Sequence, residues 1–187
     1  MSEASSLTNH FLIALPTLRD PNFFRTVTYI CEHTAEGTMG IIVNRPSALE
    51  LTDILQHMDI AETPDTPADM RIFIGGPVQE DRGFLLHSPA KRWDSTLLIE
   101  DDLAVTTSQD LVRAIARNEG PEEILFALGY AGWGPGQLEQ ELQQDAWIFG
   151  AASKEILFHT PIEARWEAAA TLAGVDVNLI SNIGGHA

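Results

Sequence analysis

A single cysteine, Cys31, stands in the whole of the 187-residue chain, so no disulfide framework can close within it. That suits a reducing compartment. Basic residues are also scarce: eleven Lys and Arg face twenty-seven Asp and Glu, a formal net charge of -16. Such a surface repels a phosphate backbone, whereas DNA binding draws on a basic stripe that releases counterions. Lys91-Arg92 is the only adjacent basic pair. Direct nucleic-acid binding is therefore disfavoured, and the charge reads as a solubility device. Long apolar runs are missing too, since none approaches the roughly 20 residues that cross a bilayer. The start, Met1-Ser2-Glu3, lacks the basic and apolar segments of a secretory signal. These absences predict a cytoplasmic protein without a membrane span.

What is present is enough apolar residue, 44% of the chain, to build a full core within one domain spanning 1–187. His10 to Leu15 is a short apolar run ended by Pro16, and Asp20-Pro21-Asn22 reads as a turn. Thr26 to Cys31 and Met39 to Val43 read as strands of an antiparallel hairpin turning at Glu36-Gly37. Leu51, Ile54, Leu55 and Met58 carry the spacing of an amphipathic helix, and Ile60 to Asp69 is a loop. Arg71 to Ile74, Phe84 to His87, Thr96 to Ile99 and Ala104 to Thr106 read as further strands. Ser108 is placed to cap a helix reaching about Asn118. Ile124 to Leu128 is a buried strand, Gln137 to Gln144 a polar helix, and Trp147 to Phe149 a short strand. Thr160-Pro161-Ile162-Glu163 has the form of a capping box opening a helix to about Ala173, and Val175 to Ile180 reads as a last strand. Strands follow strands too often for regular βαβ alternation, so the expected class is α+β.

Three segments invite a chemical reading. In Cys31-Glu32-His33, alternation along a strand would put Cys31 and His33 on one face, about 6.5 Å apart. A nucleophilic cysteine needs a base in hydrogen-bond reach, and zinc needs three or four ligands; neither set is complete here. The plainer reading is a cysteine packed as a small hydrophobe. Gly75-Gly76-Pro77 leads into Asp81-Arg82-Gly83 and His87, a turn-like connection that either carries a local ion pair or offers the Arg82 guanidinium to a carboxylate or phosphate. The glycine-rich run Gly129 to Gly136, around Tyr130 and Trp133, sits between a strand and a helix, the context of a phosphate cradle. It lacks the Lys and Ser/Thr of a P-loop and the spacing of a dinucleotide fingerprint, so a tight bend is the competing reading. His57, His159 and His186 have no evident partner set, and Trp166 lies at helical spacing within a core face.

Taken together these segments resemble the AlgH/YqgE family of bacterial proteins over nearly the whole chain. The resemblance is carried by His10 to Pro16 with Asp20-Pro21-Asn22-Phe23, by Tyr29 to His33, by Met39-Gly40 and by Asn44-Arg45-Pro46. It continues through Gly75 to Val78, Asp81 to Phe84 and His87, then Gly129 to Trp133, Gly136 to Glu139 and Arg165-Trp166, to the terminal Gly185-His186-Ala187. Asp145, where the family more often has Asn, and Gly150 to Ala152 depart from the pattern. The resemblance implies an α+β fold with a bifurcated, mainly antiparallel, barrel-like sheet and surrounding helices. The family is commonly labelled as transcriptional regulators or as uncharacterised proteins, and it carries over no catalytic set.

The leading expectation is a non-enzymatic regulatory or ligand-binding module, any transcriptional role being indirect. Its pocket would form between the Gly129–Gly136 loop and the Asp81–His87 strand, with Cys31, His33, Asp81, Arg82, His87 and Trp133 as candidate residues. The alternative is an enzyme using Cys31 with His33 or His87 for redox or hydrolytic chemistry. No cofactor or metal is expected, the partner is a protein or small molecule, and the oligomeric state is left open.

Overall fold

The computed structural model describes residues 6–16, 23–100, 102–144 and 147–175. The expected turn at Asp20 to Asn22 and nearly all of the expected strand from Val175 to Ile180 lie outside those residues. The chain forms an α+β fold around one curled, half-barrel sheet. Strands β1 (His10–Ala14), β2 (Val27–Thr34), β3 (Gly37–Ile42) and β4 (Pro46–Glu50) lead into helix α1 (Leu51–His57). Then come β5 (Arg71–Ile74), β6 (Val78–Ser88), β7 (Thr96–Glu100), β8 (Leu103–Thr106) and helix α2 (Gln109–Ala116). Strand β9 (Glu123–Trp133), α3 (Gln137–Gln143), β10 (Trp147–Ala151), α4 (Lys154–Phe158) and α5 (Arg165–Leu172) complete the order.

The main path of the sheet runs β10-β1-β2-β3-β9-β6-β8-β7, with a branch from β9 to β5 and on to β4. Only the β5–β9 pair is parallel among the described strands. The expected β2–β3 hairpin forms, from Thr34↔Gly37 to Thr28↔Ile42. The bifurcation lies at β9, whose first part pairs with β6 and β5 and whose last three residues pair with β3.

Glycine makes that branching possible. Gly75 donates its backbone N–H to Leu128 and accepts from the N–H of Ile42, tying β9 to β3 across the β5–β6 connection. A methyl group on Gly75 would lie 2.3 Å from the carbonyl oxygen of Gly129, and one on Gly76 would lie 2.1 Å from the carbonyl carbon of Tyr130. No side chain fits where two backbones cross this closely. The glycines of Gly129 to Trp133 therefore belong to strand β9 and not to a loop, which corrects the sequence expectation; only Gly134 to Gly136 turn the chain into α3.

Three apolar clusters fill the two sides of the sheet. The largest joins Phe11, Tyr29, Ile41, Phe84 and Leu86 to Trp166 and Ala169 of α5. The second packs Leu85 and Phe126 against Leu51 and Leu55 of α1 and Leu111 and Ile115 of α2, using the helical stripes seen in the sequence. The third sets Leu12, Ile30, Trp133 and Trp147 against Leu138 of α3. Each fully buried large side chain contributes roughly 1.5–3 kcal/mol relative to exposure.

Two further expectations need correction. The capping box at Thr160 does not form; the Thr160 N–H and hydroxyl both donate to the carbonyl of Glu155 in the first turn of α4. The segment opens instead as a short 3-10 turn, Ile162–Ala164. Asp81-Arg82-Gly83 is likewise no turn between strands; it lies inside β6, in a bulged stretch where Val78↔Tyr130 gives way to Gly83↔Leu128.

Candidate functional site

The six candidate residues scatter over three places. Cys31 lies in the core cluster that α5 joins, and among the described residues the one hydrogen-bond acceptor its Sγ reaches is the Tyr29 carbonyl, at 3.9 Å. Burial pushes the thiol well above the usual cysteine range, so no thiolate is available at neutral pH. His33 is not beside it. A bulge between Ile30 and Glu32 shifts the β2–β3 register, leaving Cys31 as the extra residue and turning His33 to the opposite face. There the Leu7 N–H donates to His33 Nδ1 at 2.9 Å and His33 Nε2 reaches Glu139 Oε2 of α3 at 3.0 Å.

His87 is fully buried on the α1–α2 side, also across the sheet from Cys31. Its Nδ1–H donates to the Pro89 carbonyl at 3.0 Å, and its Nε2 accepts from the Thr106 hydroxyl at 2.7 Å. Burial holds its pKa below the ordinary histidine value, so the imidazole is neutral. His87 is a satisfied core histidine and no base for Cys31. Trp133 is also structural: it packs on Phe23 and Trp147 and donates its indole N–H to Glu141 at 3.1 Å.

Only Asp81 and Arg82 of the six share a cavity, a cleft of about 790 Å³ between α1 and α2. Its floor is Leu85 of β6 with Phe126 and Leu128 of β9; Ile54 of α1, Met58 just after it and Val112 of α2 form the walls. These side chains face one way because strand residues alternate and the helical stripes sit above them. Arg82 donates to Gln79 Oε1 at 3.2 Å and Thr107 Oγ1 at 3.3 Å, and no carboxylate lies within ion-pair distance of it among the described residues. Asp53, Asp59, Glu80 and Asp81 also line the mouth, making it acidic overall. The volume falls within the range of about 300–1,000 Å³ typical of ligand sites, and the apolar floor under a polar rim has their usual composition.

A second constellation escaped the sequence reading. Lys154 Nζ lies 3.1 Å from Ser88 Oγ and 2.6 Å from Asp102 Oδ2, and Ser88 Oγ donates to Asp102 at 2.9 Å. The set has the residue types of a serine–lysine nucleophile. Its chemistry runs the other way, because the hydrogen bond that Lys154 donates to Asp102 holds it above the usual lysine range. A protonated ammonium cannot take the serine proton. The group instead straps α4 to the end of β6 and to the β7–β8 connection. His159, expected to be alone, pairs with Glu123. Among the described residues no group of three or more His, Cys, Asp or Glu could hold a metal ion, and no helix is long and apolar enough to cross a membrane.

Comparison with known proteins agrees with this architecture. The AlgH-like family profile matches residues 11–178. A UPF0301 protein of Thioalkalivibrio sulfidiphilus is 54% identical over 187 residues, covering all of both chains. Another, of Nitrosococcus oceani, is 52% identical over 179 residues, 96% of each chain. The solution structure of the AlgH protein from Pseudomonas aeruginosa superposes with a TM-score of 0.81 at 47% identity, covering 97% of both chains. A Corynebacterium diphtheriae protein of 20% identity shares the fold, with a TM-score of 0.75, covering 97% of this chain and 94% of that one. By the extent of the family match and the identity of these full-length relatives, the chain belongs to the AlgH-like family.

Proposed function

We propose that this protein is a non-enzymatic ligand-binding module, with the α1–α2 cleft as its binding site. The observation that carries the reading is the cleft itself, an apolar floor of Leu85, Phe126 and Leu128 beneath a polar rim. The rival enzymatic reading loses support from the geometry: Cys31 is buried, its thiol is held protonated, and both nearby histidines face away from it. Any regulatory role then runs through a ligand or a protein partner, since a charge of -16 opposes direct DNA contact. The free, buried cysteine fits a cytoplasmic setting.

The test is a ligand screen by thermal shift, followed by amide chemical-shift mapping. A binder should move the amides of Ile54, Arg82 and Val112. Ile54→Arg, which places a charge in the half-buried wall, should abolish that response while the protein stays folded. If nucleotides, organic acids, redox cofactors and peptides all leave those amides in place, the cleft is not a binding site.

A further inference from the structure

The surroundings of the cleft say more than its volume. Ile74 of β5 is 38% exposed and pairs in register with Leu128, a floor residue, so both stand on the same face of the sheet. Leu49, on the neighbouring β4, lines the cleft and is 39% exposed. One exposed apolar side chain on β4, at the cleft, and one on β5, beside the floor strand, therefore flank the cleft. A small molecule seated on the floor would leave Ile74 bare, whereas an elongated apolar ligand would cover it.

Charge adds the second constraint. The mouth carries Asp53, Asp59, Glu80 and Asp81 against Arg82 as its one Lys or Arg, and the whole chain bears a net charge of -16. A field of that sign steers cations toward an apolar groove and rejects anionic ligands. An apolar groove with acidic edges is complementary to one common binding element, a helix with an apolar stripe flanked by Lys and Arg. We infer that the cleft is the docking groove for a short, basic, amphipathic helix of a partner protein. The inference rests on the cleft being a binding site and adds the class of partner. The apolar stripe lies on the partly exposed Ile54, Met58 and Leu128 and extends over Leu49 and Ile74. Basic residues on its flanks meet Glu80 and Asp81.

The experiment titrates the isotope-labelled full chain with a Lys/Leu amphipathic helical peptide, a scrambled peptide of the same composition, and a Glu/Leu counterpart. The basic helix should shift amides of α1, α2 and Asp81 to Gly83, and its affinity should fall as salt is added. Glu80→Gln with Asp81→Asn should weaken it about fivefold, the loss expected for two exposed charge pairs. Glu163→Gln with Glu167→Gln, the same change of charge at exposed positions just before and within α5, should leave it unaltered. Equal binding of the scrambled peptide overturns the helix, and tighter binding of the acidic one overturns the charge. Shifts confined to other surfaces overturn the groove as the docking place. If a small molecule perturbs the cleft amides while no peptide does, the partner class fails and the binding site stands. Silence from every probe removes both.

Discussion

Trp133 and Trp147 meet edge to face, with ring centroids 6.0 Å apart and planes at 79°. Both indole N–H groups donate to one oxygen, Glu141 Oε1, at 3.1 and 3.0 Å. The other oxygen accepts from Gln137 at 3.0 Å. One carboxylate on α3 therefore satisfies two buried donors, one from β9 and one from the edge strand β10.

Removing that carboxylate leaves two desolvated N–H groups without an acceptor, at about 1–3 kcal/mol each. Glu141→Ala should lower unfolding stability by roughly 2–4 kcal/mol. Glu141→Gln keeps an acceptor oxygen and should cost less. Urea unfolding followed by tryptophan emission measures both. Equal stability of the alanine variant and the parent would contradict the shared acceptor.

Acid should weaken the attachment of α3. The hydrogen bond from His33 to Glu139 lowers the Glu139 pKa below the ordinary glutamate value. A depressed carboxylate contributes stability above its unfolded pKa, and that stability is lost as pH falls through the folded value. Asp102, lowered by its hydrogen bonds from Lys154 and Ser88, acts in the same direction. Stability should decline below about pH 4.5, and the Glu139→Gln variant should decline less steeply. Identical profiles would show that the pair adds nothing to the pH dependence.

The Cys31 thiol should resist modification in the native protein. It is 2% exposed and held protonated by burial, so a disulfide reagent at pH 8 should react only as the chain unfolds. Labelling should become prompt in denaturant. Prompt labelling of the folded chain would reopen the cysteine-based enzyme.

Gly76→Ala tests the crossing of backbones at the branch of the sheet. Its new methyl would fall 2.1 Å from the Tyr130 carbonyl carbon, so a backbone must move. Overpacking of this kind costs on the order of 3 kcal/mol or more. Gly134→Ala, whose methyl would meet only the end of the Gln137 side chain at 3.8 Å, is the control and should be tolerated. Thermal melts of the two variants make the comparison.

Local patterns were legible and distant ones were not. The β2–β3 hairpin and the stripe of α2 follow from neighbouring residues, and their places agree with the sequence reading. Helix α4 has five residues, too few to show a helical period. The bulge that parts His33 from Cys31 leaves no mark in residue type, so strict alternation misled. Glycines in β9 read as a loop because glycine weakens an ordinary strand; here they are required by the chain crossing it. In the cleft, Asp81 and Arg82 stood out as charged residues between glycines. The apolar floor and walls did not, because they come from segments as far apart as Leu49 and Leu128, joined only by the topology of the sheet.

Strand β9 has a consequence for synthesis. The β2–β3 hairpin leaves the ribosome with the outer edge of β3 open, and that edge is closed by Gly132 and its neighbours, some ninety residues later. At about 5–20 residues per second the nascent chain carries this unpaired edge for several seconds. Slowing translation between Ile42 and Glu123 should lengthen that exposure and raise the yield of aggregated product, leaving the sequence and the finished structure unchanged.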